Sequence, residues 1–229
     1  MEILRAEKIT QWFPPNRRIL EAVDLSVEEG EMVSILAEPG SGKTLLLEIL
    51  SGFRAPSEGT VYLLEKKRTG ETAGAAEAFR RKYLGILPRD PGFLPLLTLE
   101  ENVALPLLLG GMSGKKARRL AKEWLNALGI GAMRERLSGQ LSAYEKCLGN
   151  VVRGTLSEPK LVFADDFTAD LTEAEEERLF EAFLEILRRG SMTLIQTTSS
   201  PRTAARGSRV LMLKDGKIYQ DCEIGGESE

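Results

Sequence analysis

The sequence contains no histidine among its 229 residues, which excludes histidine general bases and histidine metal ligands anywhere in the chain. Cysteine is almost as scarce. Cys147 and Cys222 are the two present, and their spacing fits neither a metal site nor a redox pair. Free cysteines without such a pattern are typical of proteins in a reducing compartment, so we expect the chain to be cytoplasmic.

Long apolar runs and an excess of basic charge are also missing. No stretch approaches the roughly 20 apolar residues of a membrane-spanning helix, and the first ten residues lack the pattern of a signal peptide. The formal net charge of −3 gives no global attraction to nucleic acid. We therefore expect a globular chain with no membrane span of its own and no nucleic-acid partner.

The residues that are present follow an α/β rhythm. Apolar and polar positions alternate over the first 30 residues, which predicts antiparallel strands, and the apolar run at 32–36 predicts a buried strand. Residues 89–157, approximately, have helical periodicity, after which a βαβ pattern returns. The prediction is a single α/β domain over 1–229. Its parallel-sheet core and N-terminal antiparallel β subdomain come from 1–88 and 158–229, and about 89–157 form an inserted α-helical subdomain.

A glycine-rich loop follows the strand at 32–36 and reads Ala-Glu-Pro-Gly-Ser-Gly-Lys-Thr at 37–44. Glycines in such a loop let backbone N–H groups close around phosphates at a helix N-terminus. Lys43 would reach the outer phosphates and the Thr44 hydroxyl would bind Mg²⁺. Ala37 replaces the first glycine of the P-loop pattern, which is tolerable at negative φ and costs ~1–2 kcal/mol in left-handed geometry. The alternative is an ordinary glycine-rich turn. The predicted nucleotide-binding residues of this loop are Ala37, Glu38, Pro39, Gly40, Ser41, Gly42, Lys43, Thr44 and Leu45.

Two carboxylates end the apolar run at 161–164. Ligands of open α/β sheets bind at the carboxyl ends of the strands, where Asp165 and Asp166 would lie. Asp165 would hold the hydrated Mg²⁺, and Asp166 would polarise an attacking water. The alternative is that both cap the helix predicted at 173–188.

Several motifs together resemble the ATPases of ABC transporters over about residues 2–222, with most similarity to the macrolide-export and lipoprotein-release branch. The resemblance implies a P-loop NTPase (RecA-like) fold, ATP and Mg²⁺ as cofactors, and a head-to-tail dimer. It also implies an integral membrane permease as partner and a location on the inner face of the cell membrane. The motifs are Gly-Ser-Gly-Lys-Thr at 40–44, Leu-Thr-Leu-Glu-Glu-Asn-Val at 97–103, Leu-Ser at 141–142 and Glu-Pro-Lys-Leu at 158–161.

Carried over residue by residue, the resemblance assigns the adenine-stacking aromatic to Phe13, with Trp12 as the alternative, and either could equally be a packed core residue. The glutamine of the family's Q-loop falls on Arg89, a fixed cation that would repel the metal or bind a phosphate. The switch histidine falls on Ser199, and the aspartate of the D-loop falls on Thr172. The catalytic glutamate falls on Asp166, whose side chain is one methylene shorter.

The signature sequence of the family, Leu-Ser-Gly-Gly-Gln, falls on residues 141–145. Ser142, Ala143 and Tyr144 would therefore face the nucleotide of the partner subunit, and the Tyr144 side chain should obstruct that approach. A competing register places the signature at 137–140. Because a homodimer would carry this departure in both composite sites, the resemblance favours a heterodimer with a second ABC ATPase subunit.

These assignments predict the ATP-binding subunit of an ABC transporter that binds MgATP and hydrolyses it weakly or not at all, because loss of a positioned acid or base typically costs ~10²–10⁴ in rate. Two alternatives differ in class. One is a non-hydrolysing scaffold or regulatory subunit of ABC type, and the other is an ABC ATPase of translation or DNA repair.

Overall fold

A computed structural model describes residues 1–220 of the chain, so Cys222 lies outside the described residues. The chain divides into two units, each formed by segments that are distant in sequence. The first unit contains Met1–Arg80, Phe163–Asp166 and the described residues from Thr193 onward. The second contains Arg81–Val162 and Phe167–Met192.

An antiparallel sheet opens the first unit. Its strands follow the order β2-β1-β4-β5, and β1 pairs with both β2 and β4. Alternate residues of β2, such as Val23, Leu25 and Val27, are buried and their neighbours are exposed, as the period-two pattern predicts. The strands are β1 (Glu2–Phe13), β2 (Arg17–Glu28), β4 (Glu58–Leu63) and β5 (Lys66–Lys67).

The second sheet of this unit is built around β3, which lies between β8 and β9 and runs parallel to both. β7 follows β8 in the strand order, and β10 pairs antiparallel with β9 in a hairpin. The predicted α/β class, with an antiparallel N-terminal part and a parallel core, is confirmed. The elements of this unit are β3 (Met32–Ala37), β8 (Thr193–Thr198), β9 (Arg209–Lys214), β10 (Lys217–Gln220), α1 (Lys43–Leu50) and α7 (Pro201–Ala204). Two elements have residues in both units: β7 (Leu161–Asp165) and α2 (Ala73–Tyr83).

Helices dominate the second unit, which includes the stretch 89–157. In α4 the buried residues Ala117, Ala121 and Leu125 recur every four positions, so one stripe of an otherwise charged helix is buried. Among the described residues, no helix is long and apolar enough to cross a membrane. The elements are β6 (Leu84–Leu87), α3 (Leu99–Leu109), α4 (Gly114–Ala127), α5 (Ala143–Thr155), α6 (Glu173–Arg189) and short 3₁₀ helices at Gly131–Met133 and Ser138–Gln140.

Candidate functional site

The glycine-rich loop connects the end of β3 to the start of α1, the strand–loop–helix arrangement that its sequence predicts. Ala37 is the last residue of β3 and does not have a positive φ, so alanine replaces the usual glycine without left-handed strain. The left-handed conformations fall on Gly40 (φ 81°) and Gly42 (φ 93°), where glycine has no Cβ penalty.

The N-terminus of α1 leaves polar groups open to a ligand. Gly42 is the N-cap and provides no side-chain hydrogen bond, and among the described residues no partner is found for the amides of Lys43, Thr44 and Leu45. Ser41 Oγ is buried and also lacks a hydrogen-bond partner within 1–220. Unsatisfied donors at a helix N-terminus favour an anion, so this loop fits a phosphate group.

Lys43 and Asp166 form a buried ion pair at the base of the loop, with 9% of each side chain exposed. The second carboxylate oxygen of Asp166, Oδ1, accepts the Ser199 backbone N–H at 3.0 Å. Both oxygens of Asp166 are therefore engaged. Asp166 has φ 45°, and its own N–H donates to the carbonyl of Thr197 at 2.9 Å.

Asp165 lies at the end of β7 and is held by two hydroxyl groups. Thr44 Oγ1 donates to Asp165 Oδ2 at 2.7 Å, and Thr197 Oγ1 donates to Asp165 Oδ1. A threonine hydroxyl and a carboxylate at this separation are suitable oxygen ligands for Mg²⁺ together with phosphate oxygens. Sequence reasoning did not single out Thr197, because the pairing of β8 beside β7 is what brings it to Asp165.

The alternative role of the two aspartates as helix caps is wrong. The N-cap of α6 is Thr172, which forms a capping box with Glu175: Thr172 Oγ1 accepts the Glu175 N–H, and the Glu175 carboxylate accepts the Thr172 N–H at 3.0 Å. Thr172, which falls on the D-loop aspartate position, thus has a structural role at the start of α6.

A cavity of about 600 Å³ lies beside the loop in the first unit. Phe13 lines this cavity, and Trp12 does not. The strand register explains the difference, because consecutive residues of β1 point to opposite faces. Phe13 is therefore the aromatic residue that lies beside the loop. Gly40, Gly42, Lys43, Thr44 and Leu45 also line the cavity.

A second cavity of about 790 Å³ lies along the other side of the loop. Ser199, which follows β8, is exposed and lines this cavity. From the loop itself the lining residues are Ala37, Glu38, Pro39, Gly40 and Ser41. Each predicted residue of the loop thus lines at least one of the two cavities.

The predicted signature residues begin α5 in the second unit. Ser142 is the N-cap and forms a capping box with Glu145, while Ala143 is exposed and Tyr144 is half-buried. Burial raises the pKa of the Tyr144 hydroxyl. The competing register at 137–140 forms a 3₁₀ helix and an N-terminal flank rather than the start of a long helix.

Arg89 pairs with a residue that the sequence analysis did not select. Its guanidinium contacts the carboxylate of Asp170 at 2.9 Å, and both side chains are more than half exposed. This pair is apparent from the packing of the second unit and not from sequence, because the residues are 81 positions apart.

Two side chains of α5 bind the backbone on both sides of Arg89. Asn150, which is fully buried, donates from Nδ2 to the Pro88 carbonyl at 2.9 Å. Arg153 donates to the Pro91 carbonyl at 2.6 Å. Residues 88–91 are therefore attached to α5 by two polar contacts.

Comparison with known proteins decides the family. A family profile described as ABC transporter matches residues 20–169, about two-thirds of the chain. The chain belongs to the ABC transporter ATP-binding family. This ABC chain is 31% identical over its full length to the bacitracin export ATP-binding protein BceA of Halalkalibacterium halodurans, covering 91% of that protein. It is 36% identical to the lipoprotein-releasing system ATP-binding protein LolD of Aquifex aeolicus, covering 95% of this chain and 96% of LolD.

Solved ABC cassettes have the same fold. The cassette MJ0796 in a dimeric post-hydrolysis state with ADP and Pi matches with a TM-score of 0.89 and 28% identity, covering 98% of this chain and 100% of that one. The predictions of a P-loop NTPase fold and of an ABC transporter ATP-binding subunit are confirmed. As an ABC cassette, the chain binds ATP with Mg²⁺.

Proposed function

We propose that this ATP-binding subunit pairs with a second, more typical ABC ATPase subunit and with an integral membrane permease at the cytoplasmic face of the membrane. In this proposal residues 1–229 are a single ATPase domain that binds MgATP and hydrolyses it weakly or not at all at its own site. Its contribution to transport is then mainly the assembly and closure of the complex around ATP.

The short carboxylate of Asp166 carries the proposal of weak hydrolysis. It is one methylene shorter than the glutamate of the family, and the Ser199 N–H holds its Oδ1. Once Lys43 turns to a phosphate, this carboxylate therefore reaches less far toward an attacking water than a glutamate would. Ser199 itself cannot become a cation. With no histidine in the sequence, the chain has no residue that could supply the positive charge of a switch histidine from this position.

The open groups of the loop support a role in binding. Ser41, Lys43 and the first amides of α1 would hold the phosphates, and Thr44 with Asp165 would hold Mg²⁺. The Phe13 ring, 39% exposed at the cavity, would stack on the adenine. These roles need no hydrolysis, because binding and catalysis use different groups of the site.

The start of α5 supports a heterodimer. Ala143 and Tyr144 replace the two glycines of the signature, so the helix N-terminus carries a large side chain where a close approach to a phosphate needs none. A homodimer would have this obstruction twice. A partner with an intact signature would still close correctly over the MgATP of this chain, and Arg89 would have no catalytic role in that complex.

Steady-state ATP turnover by the membrane complex that contains this subunit tests the proposal. We expect Asp166→Asn in this subunit to leave turnover unchanged, because the partner provides the hydrolysis, while Lys43→Ala disrupts assembly or coupling. If Asp166→Asn abolishes turnover, Asp166 is a working catalytic carboxylate and the proposal of weak hydrolysis fails. If the complex assembles and transports normally with Lys43→Ala, ATP at this site does no work and the chain is a scaffold instead.

A further inference from the structure

The hairpin between β1 and β2 places two arginines in different surroundings. Trp12 pairs across the strands with Arg18, and Phe13 pairs with Arg17. Directly opposed residues of an antiparallel pair lie on one face, and successive pairs alternate between faces. The Trp12–Arg18 pair is therefore on one face of the hairpin, and the Phe13–Arg17 pair is on the other.

Contacts at the two pairs agree with this alternation. The Arg18 guanidinium lies 4.3 Å from the centre of the Trp12 ring and forms an ion pair with Glu21. Arg17 and Arg18 both line the larger cavity, but only Arg17 also lines the 600 Å³ cavity together with Phe13. The face that carries Phe13 and Arg17 is thus the one turned toward α1.

Arg17 is a cation without a partner. Its side chain is exposed, and no hydrogen bond, ion pair or ring contact to it is found within residues 1–220. The other basic groups of the same cavity are compensated: Lys43 pairs with Asp166, and Arg54 pairs with Glu48 at 2.9 Å. Arg17 is therefore an uncompensated positive charge on this cavity, directly across the strands from Phe13.

We propose that Arg17 is a nucleotide-binding residue that contacts the base end of ATP opposite Phe13. This inference rests on the proposed binding of the nucleotide at the loop, with its adenine on Phe13. A guanidinium is planar and stacks on aromatic faces, and the adenine ring offers it such a face. The Phe13 ring and the Arg17 guanidinium together give the base two contact surfaces instead of one.

Calorimetric titration of the full chain with MgATP and MgADP tests this inference. We expect Arg17→Ala to raise the Kd of both nucleotides by a similar factor, roughly three- to tenfold, because the base end is common to ATP and ADP. Arg18→Ala is the matched control: it removes the same charge from the neighbouring position, and its Kd should stay within about twofold of the wild-type value. Arg17→Gln provides a second variant if Arg17→Ala does not fold.

Other outcomes would contradict either the Arg17 contact or the nucleotide site itself. Unchanged affinity in Arg17→Ala, or an equal loss in Arg18→Ala, overturns the inference. A loss for MgATP much larger than for MgADP places Arg17 on the outer phosphate and refutes the base-end contact. Lys43→Ala distinguishes failure of the proposed nucleotide site from failure of the Arg17 contact. If Lys43→Ala leaves the MgATP affinity intact, the proposed nucleotide site itself is wrong. If Lys43→Ala weakens MgATP binding but Arg17→Ala binds normally, only the role of Arg17 is rejected.

Discussion

Removing the charge of Asp166 should tighten ATP binding by the isolated chain. Lys43 is paired with Asp166 in the structure, and a phosphate that needs Lys43 must compete with that carboxylate. Asp166→Asn removes the competitor and also one negative charge beside the loop. The side-chain amide oxygen of this variant can still accept the Ser199 N–H, so the local backbone contact persists.

The burial of the Lys43–Asp166 ion pair determines how much Asp166→Asn changes the affinity for MgATP. Two unit charges about 4 Å apart, as an upper limit for the directly paired Lys43 and Asp166, interact by roughly 4 kcal/mol at an effective dielectric constant of about 20. Water in the adjoining cavity screens part of this, which leaves about 1–2 kcal/mol, or a roughly tenfold lower Kd for MgATP. Without nucleotide, the same substitution leaves Lys43 buried and unpaired, and Tm should fall by about 3–8 °C.

Calorimetry gives the Kd, and thermal unfolding with and without MgATP gives the stability. The difference in Tm between variant and wild type should narrow at saturating MgATP, because bound phosphate then compensates Lys43. Asp170→Asn is the control: it removes an equal charge at an exposed position, and both quantities should stay close to wild type. Weaker or unchanged MgATP binding by Asp166→Asn would show that the pair does not oppose the nucleotide.

Two further predictions concern packing. Burial raises the pKa of Cys147 to about 11, and its thiol contacts the Phe167 carbonyl. Alkylation of Cys147 at pH 8, followed by mass spectrometry of its peptide, should therefore be at least about 100-fold slower in the native than in the unfolded protein. Comparable alkylation rates in the two states would contradict this. Gly85→Ala should lower Tm by about 4–12 °C in thermal unfolding, because its Cβ would lie 2.2 Å from the Gly154 carbonyl oxygen, whereas Gly74→Ala, with open space around the added Cβ, should not lower it.

The chemistry of the loop could be predicted from sequence because it depends on local order. Glycines at positions 40 and 42, followed by Lys43 and Thr44, lie between a buried strand and a helix, and the structure places them there. Asp165 is predictable for the same reason, since an apolar strand that ends in a carboxylate indicates the ligand edge of a parallel sheet.

What could not be predicted depends on contacts between distant segments. The engagement of both Asp166 oxygens involves Lys43 and Ser199, which are far from it in sequence. The choice between Trp12 and Phe13 needs the register of the hairpin, because a shift by one residue exchanges the two faces. The same register places Arg17 directly across from Phe13. Counting cross-strand partners outward from the turn could have predicted this pairing from the sequence.

The attachment of residues 88–91 to α5 has a mechanical consequence. This short stretch moves together with α5, because Asn150 binds the carbonyl of Pro88 and Arg153 binds the carbonyl of Pro91. The residues just before this stretch also lie close to α5, because a Cβ added at Gly154 would come within 3.1 Å of the Ile86 carbonyl oxygen. A displacement of residues 88–91 is therefore passed on to α5 through these two hydrogen bonds.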